Sequence, residues 1–249
     1  MPANKSFTHF PEFLVVLPAR MNATRLPGKP LIKLAGVPII ERTYNGVKTL
    51  FENVVVATDS DEIIAHCTTK SIPVIKTSAS HTNGTTRTLE AYKKLGGEYK
   101  YIINVQGDEP FINNEVLAPL CELLLQNEPV AATIKAPVSA EDTGSNVYVV
   151  TDQFDRALYF SRAPIPVEHS SSSERYQHVG VYAFQPHALH TYCRLLPTPL
   201  EQAESLEQLR WMEHGYGWKV AHASHKPLSI DTPEDLAAAE SIFKELSKS

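Results

Sequence analysis

Short β-type runs alternate with helical patterns through the first half of this chain, and that alternation permits few folds. The runs lie at residues 14–17, 53–58, 73–76 and 101–105. Between and after them, helical spacing marks 38–50, 61–69, 85–95 and 114–126; Ile39, Ile40, Tyr44 and Val47 recur on one helical face of the first. Apolar runs joined by helices predict parallel strands with crossover helices on the sheet faces. After Pro129 the pattern changes. Segments 130–136, 148–151 and 157–160 read as strands joined without helices, an antiparallel extension, and 178–184 returns to a strand pattern. The polar, serine-rich stretch 168–175 reads as a loop. Helices are predicted at 186–195, 200–216 and 233–246, with a last strand at 218–222. Leu206, Leu209 and Met212 form the expected core stripe of the 200–216 helix, with Glu207, Gln208 and Arg210 to its side. The fold class is therefore α/β, with a mostly parallel central sheet and an antiparallel extension. No repeat or linker interrupts it, so a single domain over 1–249 is expected.

The bulk properties narrow the function. A chain of 249 residues with 43% hydrophobic content supports a large core. A net charge of −5 argues against a general nucleic-acid binder. No apolar window approaches the ~18 residues of a membrane span, and the first residues lack the apolar core of a secretory signal. Cys67, Cys121 and Cys193 are scattered and form no CxxC pair, so neither a zinc site nor a disulfide framework is expected. A cytoplasmic protein without membrane insertion is the expectation.

Positive charge is nonetheless concentrated just after the first strand, in LVVLPARMNATRLPGKPL. Arg20, Arg25 and Lys29 share one turn, with Gly28 beside the lysine and Pro27 and Pro30 stiffening the backbone. Arginine forks and a lysine point charge suit phosphate oxygens, and strand ends are where open α/β sheets bind ligands. A solvated basic loop is the simpler alternative. No GxxxxGK[ST] loop is present.

A second strand end carries Gln106-Gly107-Asp108-Glu109-Pro110. Gly107 permits an unusual backbone angle. Asp108 either turns to solvent or holds Mg²⁺, which favours one or two carboxylates completed by phosphate oxygens and water. The segment Ser229-Ile230-Asp231-Thr232-Pro233-Glu234-Asp235 reads as a helix start capped by Asp231 or Thr232; alternatively, Asp231 is a second metal carboxylate. Gly84-Thr85-Thr86-Arg87 is either an N-terminal cap or a helix start that reads a base or ribose. Arg162 suits a carboxylate, and His178 either donates to the same ligand or is a satisfied strand histidine.

Seven segments in one order, LPARMNATRLPGKPL, VVVATDSDEI, NVQGDEPFI, ALYFSRAPIP, HVGVYAF, PTPLEQAESLEQLR and SIDTPEDL, together resemble the 3-deoxy-manno-octulosonate cytidylyltransferase family. The resemblance implies a Rossmann-like nucleotide-diphosphosugar transferase fold and a homodimer. It also implies the reaction of CTP with 3-deoxy-manno-octulosonate (Kdo) to give CMP-Kdo and pyrophosphate, for lipopolysaccharide biosynthesis. Carried over by motif, Arg20, Arg25 and Lys29 bind the CTP phosphates, Leu17, Ala19, Thr85 and Arg87 complete the nucleotide site, and Asp108 and Asp231 hold Mg²⁺. Lys29, Asp108 and Asp231 form the catalytic set. Gln106, Arg162, His178, Tyr182, Glu207 and Gln208 form the sugar pocket, with residues 130–185 contributing to sugar binding and dimerisation. Two positions depart from the pattern. The family's SGT[DE]R becomes Asn83-Gly84-Thr85-Thr86-Arg87, and the lysine of its PNxVKVV becomes Tyr148. The alternatives are transfer to another acidic sugar, an 8-amino-Kdo or a nonulosonate, and a non-catalytic nucleotide-binding homologue.

Overall fold

A computed structural model describes residues 10–21, 26–138, 146–170 and 173–246. The chain divides into two compact units, residues 1–114 with 227–249, and residues 115–226.

The first unit contains β1 (Phe13–Ala19), the short hairpin β2 (Lys33–Leu34) and β3 (Val37–Pro38), α1 (Ile39–Lys48), β4 (Asn53–Thr58), α2 (Asp61–Thr69), β5 (Val74–Lys76), α3 (Gly84–Leu95) and β6 (Tyr101–Val105). Its strands run parallel in the order β6-β1-β4-β5. Every side chain of β1 and β6 is buried, as strands covered on both faces require. From β1 the chain crosses to β4 and β5 on one side, then returns to place β6 on the other. The strand order therefore reverses between β1 and β6, where open sheets leave a crevice at their carboxyl ends.

The second unit opens with α4 (Asn114–Asn127) and continues through β7 (Ala131–Pro137), β8 (Tyr148–Thr151), β9 (Ala157–Ser161), β10 (Tyr176–Phe184), α5 (Pro186–Tyr192), α6 (Pro199–Glu204), α7 (Gln208–Glu213) and β11 (Lys219–His222). Its strands β7, β10, β8 and β9 pair antiparallel in that order, while β11 runs parallel to β7. The mixed α/β class and the antiparallel extension after Pro129 are as the sequence predicts. The second unit's core is aromatic, with Trp211, Trp218, Tyr192 and Phe184 packed ring against ring.

The predicted 200–216 helix is two helices. Glu201 Oε2 accepts the Thr198 amide at 3.2 Å at the start of α6. Ser205 then takes a left-handed backbone (φ 52°) and ends it. The break changes which side chains α7 buries: Gln208, Leu209 and Trp211 turn inward, so Gln208 is a core residue rather than a flank.

The last helix, α8 (Pro233–Leu246), belongs to the first unit. It packs on an apolar cluster of Leu26, Leu34, Ile39, Ile230 and Ala239, with Phe111, Leu236 and Phe243 against it. Glu240 accepts the Ala35 amide at 2.7 Å, and the Arg42 guanidinium lies over the Phe243 ring. Leu26 and Ile230 anchor the chain just before Lys29 and Asp231.

Candidate active site

The carboxyl ends of β1 and β6 carry the residues the sequence singles out. Pro18, Ala19 and Arg20 leave one strand, and Gln106, Gly107 and Asp108 leave the other; with Leu26, Lys29, Pro30 and Asp231 they line a cleft of ≈ 220 Å³. The two strand ends approach closely. Gly107 N–H donates to Pro18 O at 3.1 Å, and a Cβ on Gly107 would lie 2.9 Å from that oxygen and from Ile40 Cδ1. Gly107 is therefore required for this close approach, not for an unusual backbone angle; its φ is outside the left-handed region. The glycine that needs that region is Gly28 (φ 72°), which turns the chain into a single 3₁₀ turn over Lys29–Leu31.

Lys29 is 4% exposed, and its ammonium joins both aspartates. Nζ lies 2.7 Å from Asp108 Oδ2 and 3.0 Å from Asp231 Oδ1. Burial opposes the charge, but the Asp108 charge and the hydrogen bonds that Lys29 donates to both carboxylates outweigh it and raise the Lys29 pKa. Asp231 is available for this contact because it is not the helix cap. Thr232 Oγ1 accepts the Asp235 amide at 3.2 Å, and Asp235 Oδ2 accepts the Asp231 and Thr232 amides, each at 2.9 Å. Capping by Thr232 and Asp235 leaves the Asp231 carboxylate turned to Lys29. Ser229 Oγ donates to Glu109 at 2.9 Å, tying the loop before α8 to the loop after β6.

A second cleft of ≈ 100 Å³ shares Pro18, Ala19, Arg20 and Gln106 with the first and adds His81, Asn83, Gly84 and Arg87. Asn83 caps α3, accepting the Thr86 amide at 2.9 Å. Thr85 is buried and receives Asn104 Nδ2 at 3.4 Å. Arg87 is fixed by Asp59 at 2.9 Å and Thr77 at 2.6 Å. The residues that sequence reasoning missed here are His81, Asp59 and Glu90. His81 Nδ1 meets Thr86 Oγ1 at 3.1 Å, and its Nε2 meets Glu90, which also binds Lys94 at 2.8 Å. Partial burial pushes Glu90 up, but bonds from Lys94, the Ser78 amide and His81 draw it down to about 2. A carboxylate is thus present one helical turn beyond Thr86, and Arg87 has its own acidic partner in Asp59.

Of the remaining expected nucleotide residues, Ala19 and Arg20 line both clefts, and Leu17 is wholly buried just before them. Arg25 lies outside the described residues.

Gln106 sits in the first unit; the other expected sugar residues are in the second. There, His178, Tyr182 and Gln208 form one cluster. The His178 and Tyr182 rings are 5.3 Å apart, and Tyr182 Oη donates to Gln208 Oε1 at 3.2 Å. Thr133 Oγ1 gives its proton to Val181 O and so accepts from His178 Nε2, both at 2.7 Å. That assigns the imidazole proton to Nε2, which Thr133 holds, and leaves Nδ1 as an acceptor. Gln208 Nε2 is buried with no hydrogen-bond partner among the described residues. Leaving such a group unpaired costs roughly 1–3 kcal/mol, so it calls for a partner such as water or a bound ligand. Glu207 contributes its carbonyl to Tyr192 Oη at 2.7 Å. Arg162 Nε and Nη2 hold the carbonyls of Glu204 and Ser205 at 2.7 and 3.2 Å. The guanidinium thus fixes the turn that precedes Glu207 and Gln208.

Two results follow from this cluster. Arg162→Ala frees the 204–208 turn and raises the sugar KM, by roughly 10-fold or more for the loss of charged hydrogen bonds worth about 1.5–3 kcal/mol; an unchanged KM excludes the role. Burial, aided by Lys226, lowers the His178 pKa to about 3. Because the unfolded imidazole still titrates near its ordinary value, the unfolded state binds the extra proton between pH 6.5 and 3. Stability contributed by His178 is therefore present above pH 6.5 and falls by about 1.4 kcal/mol for each pH unit below it. Urea unfolding at pH 7.5 and 5.5 measures this, and His178→Asn flattens the dependence.

Fold and clefts together define an α/β nucleotide-binding protein, with phosphate-seeking cations and two carboxylates at its topological switch point. Residues 14–241 match the cytidylyltransferase family. A protein of Chlamydia pneumoniae named 3-deoxy-manno-octulosonate cytidylyltransferase is 42% identical over 239 residues, covering 93% of this chain and 94% of that protein. Its counterpart from Polynucleobacter necessarius subsp. necessarius is 43% identical, with 94% and 96% covered. A solved structure of CMP:2-keto-3-deoxy-manno-octonic acid synthetase complexed with CTP matches with a TM-score of 0.87 at 33% identity, over 94% of this chain and 99% of that one. The chain belongs to the 3-deoxy-manno-octulosonate cytidylyltransferase family.

Proposed function

We propose that this protein transfers CMP from CTP to the anomeric hydroxyl of Kdo, releasing pyrophosphate and supplying CMP-Kdo for lipopolysaccharide biosynthesis. The observation that carries this reading is the likeness to the CTP-bound synthetase over nearly the whole chain. The anomeric hydroxyl attacks the α-phosphorus in line. Such chemistry needs positioning and charge neutralisation more than a covalent nucleophile. Arg20 and Lys29, with Arg25, are assigned to the polyphosphate and to the charge that builds on pyrophosphate. Arg87 and the Gly84–Thr85 backbone are assigned to the nucleoside, while Gln106, Arg162, His178, Tyr182, Glu207 and Gln208 are assigned to the sugar.

Asp108 and Asp231 suit Mg²⁺. Both are hard oxygen donors gathered at one ammonium, and each is about two-fifths exposed, at 39% and 41%. Among the described residues there is no cluster of three or more metal-ligating side chains. Two carboxylates completed by phosphate oxygens and water are the usual Mg²⁺ arrangement beside a nucleotide. When bound, the ion supplies charge neutralisation and a lowered pKa for a coordinated hydroxyl. A homodimer in the cytoplasm completes the proposal. No helix among the described residues is long and apolar enough to cross a membrane.

The deciding assay is pyrophosphate release with CTP, Mg²⁺ and Kdo, beside the 8-amino analogue and N-acetylneuraminate. Release with Kdo in clear preference is the expected result. Release with another sugar alone moves the substrate. CTP binding without release from any sugar overturns the enzymatic reading.

A further inference from the structure

Lys29 stands where the two carboxylates proposed for the metal converge. Its ammonium is 2.7 Å from Asp108 and 3.0 Å from Asp231, on loops that lie more than 120 residues apart in sequence, and it is almost wholly buried. With one cation between two anions, the group carries a net charge near −1. A divalent ion joining it with Lys29 still in place would bring three positive charges against two negative ones. A compact ammonium close to the same oxygens therefore competes directly with the metal.

A polyphosphate changes that balance. It offers Lys29 new anionic partners, which a flexible four-carbon stem can reach without backbone movement. Arg20 lines the same cleft, so the phosphates would arrive beside Lys29 itself. Once the ammonium turns to phosphate oxygens, both carboxylates lose their contact with Lys29 and the incoming polyphosphate adds further ligands for a hard cation.

Resting on the reading that Asp108 and Asp231 hold the metal, we infer that Lys29 is the resident cation of that site: it holds the two carboxylates together, excludes a free divalent ion, and yields the site only when a nucleoside triphosphate draws it away. Metal and nucleotide consequently bind as one coupled unit. Lys29 has two posts, one on the carboxylates and one on the phosphates.

The test is Mn²⁺ binding to the full chain, followed by the EPR signal of the free ion, with and without CTP and with no sugar present. The wild type binds Mn²⁺ weakly alone and at least 10-fold more tightly with CTP. Lys29→Met binds Mn²⁺ alone at least 10-fold more tightly than the wild type and loses most of the CTP-dependent gain, whereas Lys29→Arg, which keeps the charge, stays close to the wild type without CTP. Lys29→Gln serves as a second neutral variant, and circular dichroism checks that each variant is folded. Equal Mn²⁺ affinity with and without CTP in the wild type, or no gain in either neutral variant, overturns the inference and leaves the metal reading standing. Failure of Mn²⁺ to bind the CTP complex and both neutral variants overturns the metal reading, and the inference with it.

Discussion

Asp108→Asn lowers kcat by roughly 10²–10³, about 2.7–4 kcal/mol, the size of effect seen when one group stabilising charge at a reacting centre is removed. Asparagine keeps the shape of the side chain, so the loop between β6 and α4 keeps its path. Gly107 still donates to Pro18 O, and Glu109 still accepts from Ser229. Lys29 keeps Asp231 at 3.0 Å. What disappears is one of two negative charges at the cleft, and with it half of the ligand set proposed for Mg²⁺. Pyrophosphate release at saturating CTP and Kdo, beside a thermal melt, separates this from unfolding. A variant that melts normally and turns over near the wild-type rate excludes Asp108 from the reaction.

Gly46→Ala destabilises the fold. In an exposed helix this change would gain about 1 kcal/mol, because alanine is the better helix former. Here the added Cβ would lie 2.3 Å from the carbonyl oxygen of Ile112. That neighbour is backbone and has no rotamer to yield. Overpacking of this kind costs about 1–3 kcal/mol and occasionally more, and a contact this short belongs at the upper end. The clash outweighs the propensity, leaving a net loss of about 2 kcal/mol and a fall in Tm of roughly 4–8 °C for a chain of this size. Ile112 follows the loop that carries Asp108, so turnover falls as well. A Tm equal to or above that of the wild type contradicts the packing described.

Much of the fold was legible in the sequence because its signals are local. The second and fourth strands, the 61–69 helix and the closing helix begin and end where apolar pattern and caps place them. The two-helix structure of 200–216 was not legible, because no residue type announces that Ser205 will adopt a left-handed backbone. Asp108 and Lys29 were visible as unusual charges at strand ends. Asp231 was ambiguous: DTPED supports either a cap or a ligand, and only coordinates divide the labour between Thr232 and Asp231. Glu90 and Asp59 were hidden for a different reason. Each is an ordinary surface-type acid until the fold sets it against His81 or Arg87. The His178 tautomer was likewise beyond the sequence, since it depends on where the Thr133 hydroxyl sends its proton.

The placement of α8 also bears on how the protein is made. The ribosome completes β1 and β6, with Lys29 and Asp108, long before it reaches Asp231, and the intervening residues build the second unit. The unit begun first is thus the last to close, when Ile230 and the face of α8 cover the apolar cluster around Leu26 and Leu34. Because the same closing segment delivers the second carboxylate, a nascent chain or a product broken off before residue 231 lacks both the cover of its core and half of its acidic pair.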